Sequence, residues 1–323
     1  MSLDDSIEKI PGIGSTTKKK LISAGIIYIK DVLMFSPARL AELTGISEET
    51  AEKVIKNAIK YLERKEKSFG FIEASKIEDK ISVGRFLHTG SKKFDKILGG
   101  GYASKTITEL CGEYRSGKTQ CCLTATVTAF LPPDHGGLCD ESPSKMTVVF
   151  IDTEQTFTKK RILEIAKRFE LKEDILDSIL VGRPLSAYHQ MQMINDLVKL
   201  VKRRNVKLVA VDSLTRLPRA DFEGRGELYA RQRLILAMVE KLKRLAQLYD
   251  IVVIITNQVM SRPDMFFGGH AVPIGGHVLA HNVDTRVMLI VKKDPIRVAR
   301  IIDSAWLPPA ECEIRITNQG IMD

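Results

Sequence analysis

The chain has 323 residues, 44% hydrophobic and 28% charged, the balance of a soluble globular protein with length for two or three domains. No uninterrupted apolar run approaches the roughly 20 residues that cross a bilayer, which excludes a helical membrane protein. A formal net charge of +9 is compatible with a polyanionic partner but also with many unrelated functions, so where the cations gather matters more than their excess.

The acidic start, Met1 to Ser6, has neither the basic cap nor the apolar core of a signal peptide, and an intracellular, cytoplasmic location is expected. The five Cys (Cys111, Cys121, Cys122, Cys139 and Cys312) are odd in number and lack the spacing of a zinc framework, so reduced and mostly buried thiols are expected. From Ile7 to about Leu62 apolar residues recur at helical spacing, in Leu21, Ile22 and Ile26 and again in Val54, Ile55, Ala58, Ile59 and Leu62. This predicts a small all-α domain over 1–62. The charge run Arg64 to Ser68 and the polar stretch Ser75 to Lys80 predict a connecting segment over 63–80, which nevertheless carries Phe69, Phe71 and Ile72.

In the remainder, 81–323, buried β-branched runs alternate with helical stretches. The runs are Thr106 to Leu110, Thr147 to Ile151, Lys207 to Val211 and Ile251 to Ile255; the helical stretches include Lys159 to Phe169, Met191 to Arg203 and Ala230 to Leu248. That alternation predicts an α/β fold with a mainly parallel central sheet covered on both faces. Shorter alternating runs from Val287 to Val291, Val298 to Ile302 and Glu313 to Thr317 predict further strands that extend the sheet.

Between the first run and the helical stretch Gln120 to Phe130 lies Gly112-Glu113-Tyr114-Arg115-Ser116-Gly117-Lys118-Thr119, the spacing of a phosphate-cradling P-loop. Glycines let successive N–H groups point inward at phosphate oxygens, the lysine reaches the β and γ phosphates, and the threonine hydroxyl ligates Mg2+. ATP and Mg2+ are therefore the expected cofactors. In open α/β sheets the ligand lies at the carboxyl ends of the strands, and those ends are polar here: Asp152 to Gln155, Asp212-Ser213 and Thr256 to Gln258. Asp212 fits the carboxylate that completes the magnesium site, Glu154 the group that orients or deprotonates the attacking water, and Gln258 a γ-phosphate contact. Each could instead merely cap a helix or bond the backbone.

Together, Gly112 to Gln120, Phe150 to Glu154, Leu208 to Leu214 and Ile255 to Val259 resemble the RadA branch of the RecA/Rad51 recombinase family. So do Met265 to Gly268, Ile274 to His277 and Arg300 to Ser304, which lie outside generic NTPase motifs. The resemblance implies a RecA-like P-loop ATPase core and a DNA-dependent ATPase. It implies a homo-oligomer, filament or ring, that forms on single-stranded DNA and exchanges strands with a homologous duplex, with no membrane partner. Two family DNA loops match Thr215 to Gly226, with Arg216, Arg219 and Arg225, and Val259 to Gly275, with Arg262 and Gly275. Ile10-Pro11-Gly12-Ile13-Gly14 resembles a helix-hairpin-helix turn, with Leu43 to Ser47 its degenerate partner, and implies backbone contact to DNA phosphates at Gly12 and Gly14. Phe71-Ile72-Glu73-Ala74 resembles the family's polymerisation motif, in which the residues matching Phe71 and Ala74 enter a neighbouring core. The resemblance also gives Arg161 to adenine packing and Asp303 to capping a neighbour's ATP.

Three places depart from the family pattern: Arg115 and Gln155 stand where glycine is usual, and Arg216-Leu217-Pro218 differs in the first DNA loop. They leave open a second reading, a paralogue that binds ATP and DNA and regulates another recombinase's filament with little hydrolysis.

Overall fold

A computed structural model describes residues 5–65, 69, 71, 73–76, 84–260, 272–273 and 279–323. The chain divides into two compact units, 1–83 and 84–323. In the first, α1 (Ser15–Ser23), α2 (Pro37–Thr44) and α3 (Glu48–Lys65) enclose a core of Ile7, Leu21, Ile29, Leu40, Val54 and Leu62. Helix α2 has clear boundaries: Ser36 Oγ accepts from Arg39 N, Pro37 opens the first turn, and Gly45 closes it in the left-handed region. Ala51, Val54, Ala58 and Leu62 form the buried stripe of α3 at three- and four-residue spacing. That helix runs through Lys65, so Arg64 and Lys65, expected in the connecting segment, form its last turn. The cations suit a helix C-terminus, and Lys65 also pairs with the largely buried Asp5, whose carboxyl it and Lys9 hold well below the usual range.

The second unit is built on a sheet of ten strands among the described residues. Two short strands, β1 (Phe86–Leu87) and β2 (Tyr102–Ala103), pair separately and flank α4 (Lys92–Ile97). The main strands are β3 (Ile107–Gly112), β4 (Thr147–Asp152), β5 (Ile179–Gly182), β6 (Val206–Asp212), β7 (Val252–Met260), β8 (Val272–Pro273), β9 (Thr285–Lys293), β10 (Ile296–Ser304), β11 (Glu311–Thr317) and β12 (Gly320–Met322). Their order is β12-β11-β10-β9-β3-β7-β6-β4-β5, with β8 antiparallel to the end of β7. From β9 to β5 every pairing is parallel, while β9 to β12 form an antiparallel meander.

Leu110, Val148, Phe150, Leu208, Ala210 and Ile254 share one core with side chains of α5 (Lys118–Thr128) and α6 (Lys159–Arg168). Strand alternation sends Val149, Ile151, Val209, Val211 and Ile255 to the other face, where α7 (Ala187–Arg203) packs with α9 (Leu228–Tyr249). Both faces being covered explains why the parallel runs read as continuous rather than alternating hydrophobic sequence. Thr215 to Gly226, expected as a loop, contains a short helix α8 (Arg216–Asp221). Pro218 falls in its first turn, where no backbone N–H is needed, and Leu217 and Pro218 are buried beneath it.

A buried polar network ties β3 to its neighbours inside the sheet. Glu109 on β3 is fully buried, accepting from Arg286 Nε at 2.5 Å and from Asn257 Nδ2 at 2.7 Å, and Asn257 Oδ1 accepts from Thr215 Oγ1 at 2.8 Å. Removing one member leaves a desolvated partner, so Glu109→Ala will destabilise folding by about 3–5 kcal/mol, read as a lowered denaturation midpoint in urea.

Candidate nucleotide site

Strand β3 ends at Gly112, and the chain curls through 113–117 into α5. Gly117 has φ +104°, and a Cβ there would come within 2.5 Å of Ile316 Cδ1, so only glycine closes this turn. Lys118 Nζ donates to the carbonyls of Gly112 at 2.9 Å and Glu113 at 2.8 Å, which places the ammonium group inside the curl. Burial pushes its pKa down, opposed by the carboxylate of Asp212.

The neighbouring strand ends converge on this loop, as β4, β6, β7 and β3 are consecutive parallel neighbours. Asp212 is buried, with Thr119 Oγ1 donating to Oδ2 at 2.7 Å and Thr256 Oγ1 donating to Oδ1 at 2.5 Å. Burial raises its pKa, and the two hydroxyl donors oppose the rise. Asp152, at the end of β4, accepts from Thr156 N at 3.1 Å and Phe157 N at 3.0 Å, which folds the 153–157 turn back over the strand. That turn carries Glu154, whose Oε1 accepts from Ser213 Oγ at 3.4 Å.

A cleft of about 780 Å³ joins these groups. Tyr114, Arg115, Gly117, Lys118, Thr119, Gln120, Glu154, Asp212 and Gln258 line it, and Arg161 stands among them. Arg161 donates to Gln120 Oε1 at 2.6 and 2.8 Å and to the carbonyls of Thr317 and Asn318 at 2.7 Å each. A guanidinium pinned around its edge presents its face, the surface on which a flat heterocycle stacks.

The two departures at family glycines share a physical signature. Arg115 has φ +62° and Gln155 φ +58°, so both non-glycine residues occupy the left-handed region. Replacing Gln155 with glycine removes about 1–2 kcal/mol of left-handed strain and restores about 0.5–1 kcal/mol of unfolded-chain entropy. Gln155→Gly will therefore stabilise the fold by about 0.5–1 kcal/mol in urea unfolding.

Sequence reasoning missed one wall of the cleft. Asp294, Arg297, Ile316, Thr317 and Asn318 come from the antiparallel meander and line the cleft beside the P-loop. Arg297 is buried; its Nη2 donates to Asp294 Oδ1 at 2.6 Å and to the Arg115 carbonyl at 3.3 Å, bracing the strained residue of the loop. Nothing local in 294–318 advertises this, since the contact depends on β9 pairing with β3.

The remaining predicted residues lie elsewhere. Gly112, Glu113 and Ser116 form the loop beneath the cleft, and Asp303 is exposed near the end of β10. Gly12 takes φ +71°, with Asn57 Nδ2 donating to the Pro11 carbonyl at 3.0 Å, and Gly14 caps α1 with open space where a Cβ would stand. Lys20 Nζ donates to the Gly45 carbonyl at 2.7 Å, tying the two hairpins together. Phe71 and Ala74 are exposed. Arg216 and Arg219 project toward Glu154 and Gln258. Arg262, Gly275 and the side chain of Arg225 lie outside the described residues. Among the described residues no helix is long and apolar enough to cross a membrane.

Residues 83–323 match the family described as Rad51, and residues 4–59 match the SAM-like helix-hairpin-helix tandem. The chain is 40% identical over 319 residues to the DNA repair and recombination protein RadA of Ignicoccus hospitalis, covering 98% of this chain and 95% of that protein. It is 38% identical over 318 residues to the protein of the same name from Aeropyrum pernix, covering 98% and 96%. With the P-loop, the convergent strand ends and the helix-hairpin-helix unit on one chain, and relatives matched along almost its whole length, the chain belongs to the Rad51 family of RecA-like recombinase ATPases.

Proposed function

We propose that this chain is an ATP-dependent recombinase that assembles on single-stranded DNA as a filament or ring and pairs it with homologous double-stranded DNA during recombinational repair. The observation that carries this reading is the continuity of one cleft from Arg161 through Lys118 to Glu154 and Gln258, in a chain that RadA proteins match almost end to end. The end-to-end match favours the recombinase over a regulatory paralogue. The same activity is a DNA-dependent hydrolysis of ATP to ADP and phosphate.

Lys118 neutralises the β and γ phosphates while the loop from Gly112 to Thr119 presents backbone N–H groups to them. Thr119 and Asp212, two hard oxygen donors already in contact, fit Mg2+ and would hold it. The ion, when bound, neutralises charge on the phosphate oxygens. Glu154 orients a water and accepts its proton, Gln258 contacts the γ phosphate, and Arg161 stacks on adenine. Asp303 faces a neighbour's nucleotide. Arg216, Arg219, Arg225 and Arg262, with the backbone at Gly275, Gly12 and Gly14, contact DNA phosphates.

Phe71 is fully exposed, and an aromatic ring in a charged segment gains most by entering a pocket on a second copy, with Ala74 beside it. Phe71→Ala will leave a protein that elutes as a monomer in size-exclusion chromatography with light scattering; unchanged assembly would refute that role. The function itself is tested by joint-molecule formation between a circular single strand and a homologous linear duplex with ATP. Products that need both ATP and homology are expected, and their absence contradicts the proposal.

A further inference from the structure

Two cations in α8 engage the two groups that hydrolysis would use. Arg216 Nη1 donates to the Thr153 carbonyl at 2.6 Å, and its Nε lies 3.6 Å from Glu154 Oε2. The other carboxylate oxygen of Glu154 already accepts from Ser213, so both oxygens have protein partners. One helical turn later, Arg219 Nη1 donates to Gln258 Oε1 at 3.2 Å. Both arginines sit on the same face of the helix, at i and i+3, and buried Leu217 and Pro218 fix that helix to the core. Arg216 nevertheless keeps 45% of its side chain exposed, so an outside anion can reach it.

With both carboxylate oxygens facing protein partners, a water must displace the guanidinium to reach Glu154. A phosphate backbone offers the same guanidinium a stronger, multivalent partner. We propose that Arg216 and Arg219 form a latch on Glu154 and Gln258 that DNA phosphates open, so that one segment both contacts DNA and restrains turnover in its absence. Arg216 is then a positioning residue acting through Glu154. The inference rests on the proposed function, because it takes Glu154 as the water-activating group and DNA as the anion.

The test is ATP turnover of the full chain with and without oligothymidylate, in the wild type and in Arg216→Ala, Arg216→Gln and Arg216→Lys. Removing the cation will raise turnover without DNA by roughly two- to fivefold, the scale of an ion pair between partly exposed groups, with KM for ATP little changed. The stimulation by oligothymidylate will shrink by the same factor, and Arg216→Lys will fall between. The salt dependence of oligothymidylate binding will lose about one unit of slope, which a purely structural residue would not change. Unchanged or lower DNA-free turnover in both Arg216→Ala and Arg216→Gln, with ATP binding intact, overturns the latch alone. A wild type that oligothymidylate does not stimulate, or a Glu154→Gln variant with undiminished turnover, overturns the functional reading beneath it.

Discussion

Lys118→Ala will weaken ATP binding by about 10- to 150-fold, the range for losing hydrogen bonds to a charged ligand, and hydrolysis will fall with it. The lysine is half-buried at the centre of the P-loop curl, and its ammonium group already bonds the Gly112 and Glu113 carbonyls. Its charge is therefore placed before nucleotide arrives. Binding measured with a fluorescent ATP analogue checks this, and an unchanged dissociation constant would remove the loop from the account. Folding stability will change far less than for Glu109→Ala, because among the described residues the Lys118 ammonium makes no salt bridge and bonds backbone carbonyls instead.

Glu154→Gln will lower kcat by about 10²- to 10⁴-fold, the contribution of a positioned general base, while leaving ATP affinity within a few-fold of the wild type. The substitution keeps the size of the side chain and an oxygen that can accept from Ser213 Oγ, so the turn folded by Asp152 stays in place. What it removes is proton affinity. Single-turnover hydrolysis beside equilibrium binding separates the two effects, and a parallel loss of binding and turnover would mean that Glu154 holds nucleotide instead.

The P-loop was legible because its chemistry is contiguous: eight residues, a strand before and a helix after. Asp212, Glu154 and Gln258 were legible for a different reason. In a parallel sheet all strands point the same way, so residues at the ends of well-marked hydrophobic runs must meet even when far apart in sequence. The wall formed by Arg297 and Ile316 to Asn318 follows no such rule, because antiparallel strands bring alternate ends to the site and only the β3–β9 pairing reveals which. The short edge strand β5 carries only four residues and gave too little alternation to recognise. Helix α8 was hidden by a proline that is harmless in a first turn. Arg115 and Gln155 could be seen as departures, but their left-handed backbone could not be read without coordinates.

The same geometry explains how a loop with an arginine at a glycine position keeps its shape. Strain at a functional turn persists when surrounding contacts over-determine it, and the Arg297 bond to the Arg115 carbonyl is such a contact. The departures therefore alter the cost of the site more than its layout.

The central claim is that the cleft hydrolyses ATP in response to single-stranded DNA. The most direct measurement is steady-state ATP hydrolysis by the full chain with Mg2+, with and without oligothymidylate, beside Lys118→Ala as the inactive reference. Hydrolysis that depends on Lys118 and rises on adding oligothymidylate is the predicted result; hydrolysis indifferent to the oligonucleotide would contradict the account.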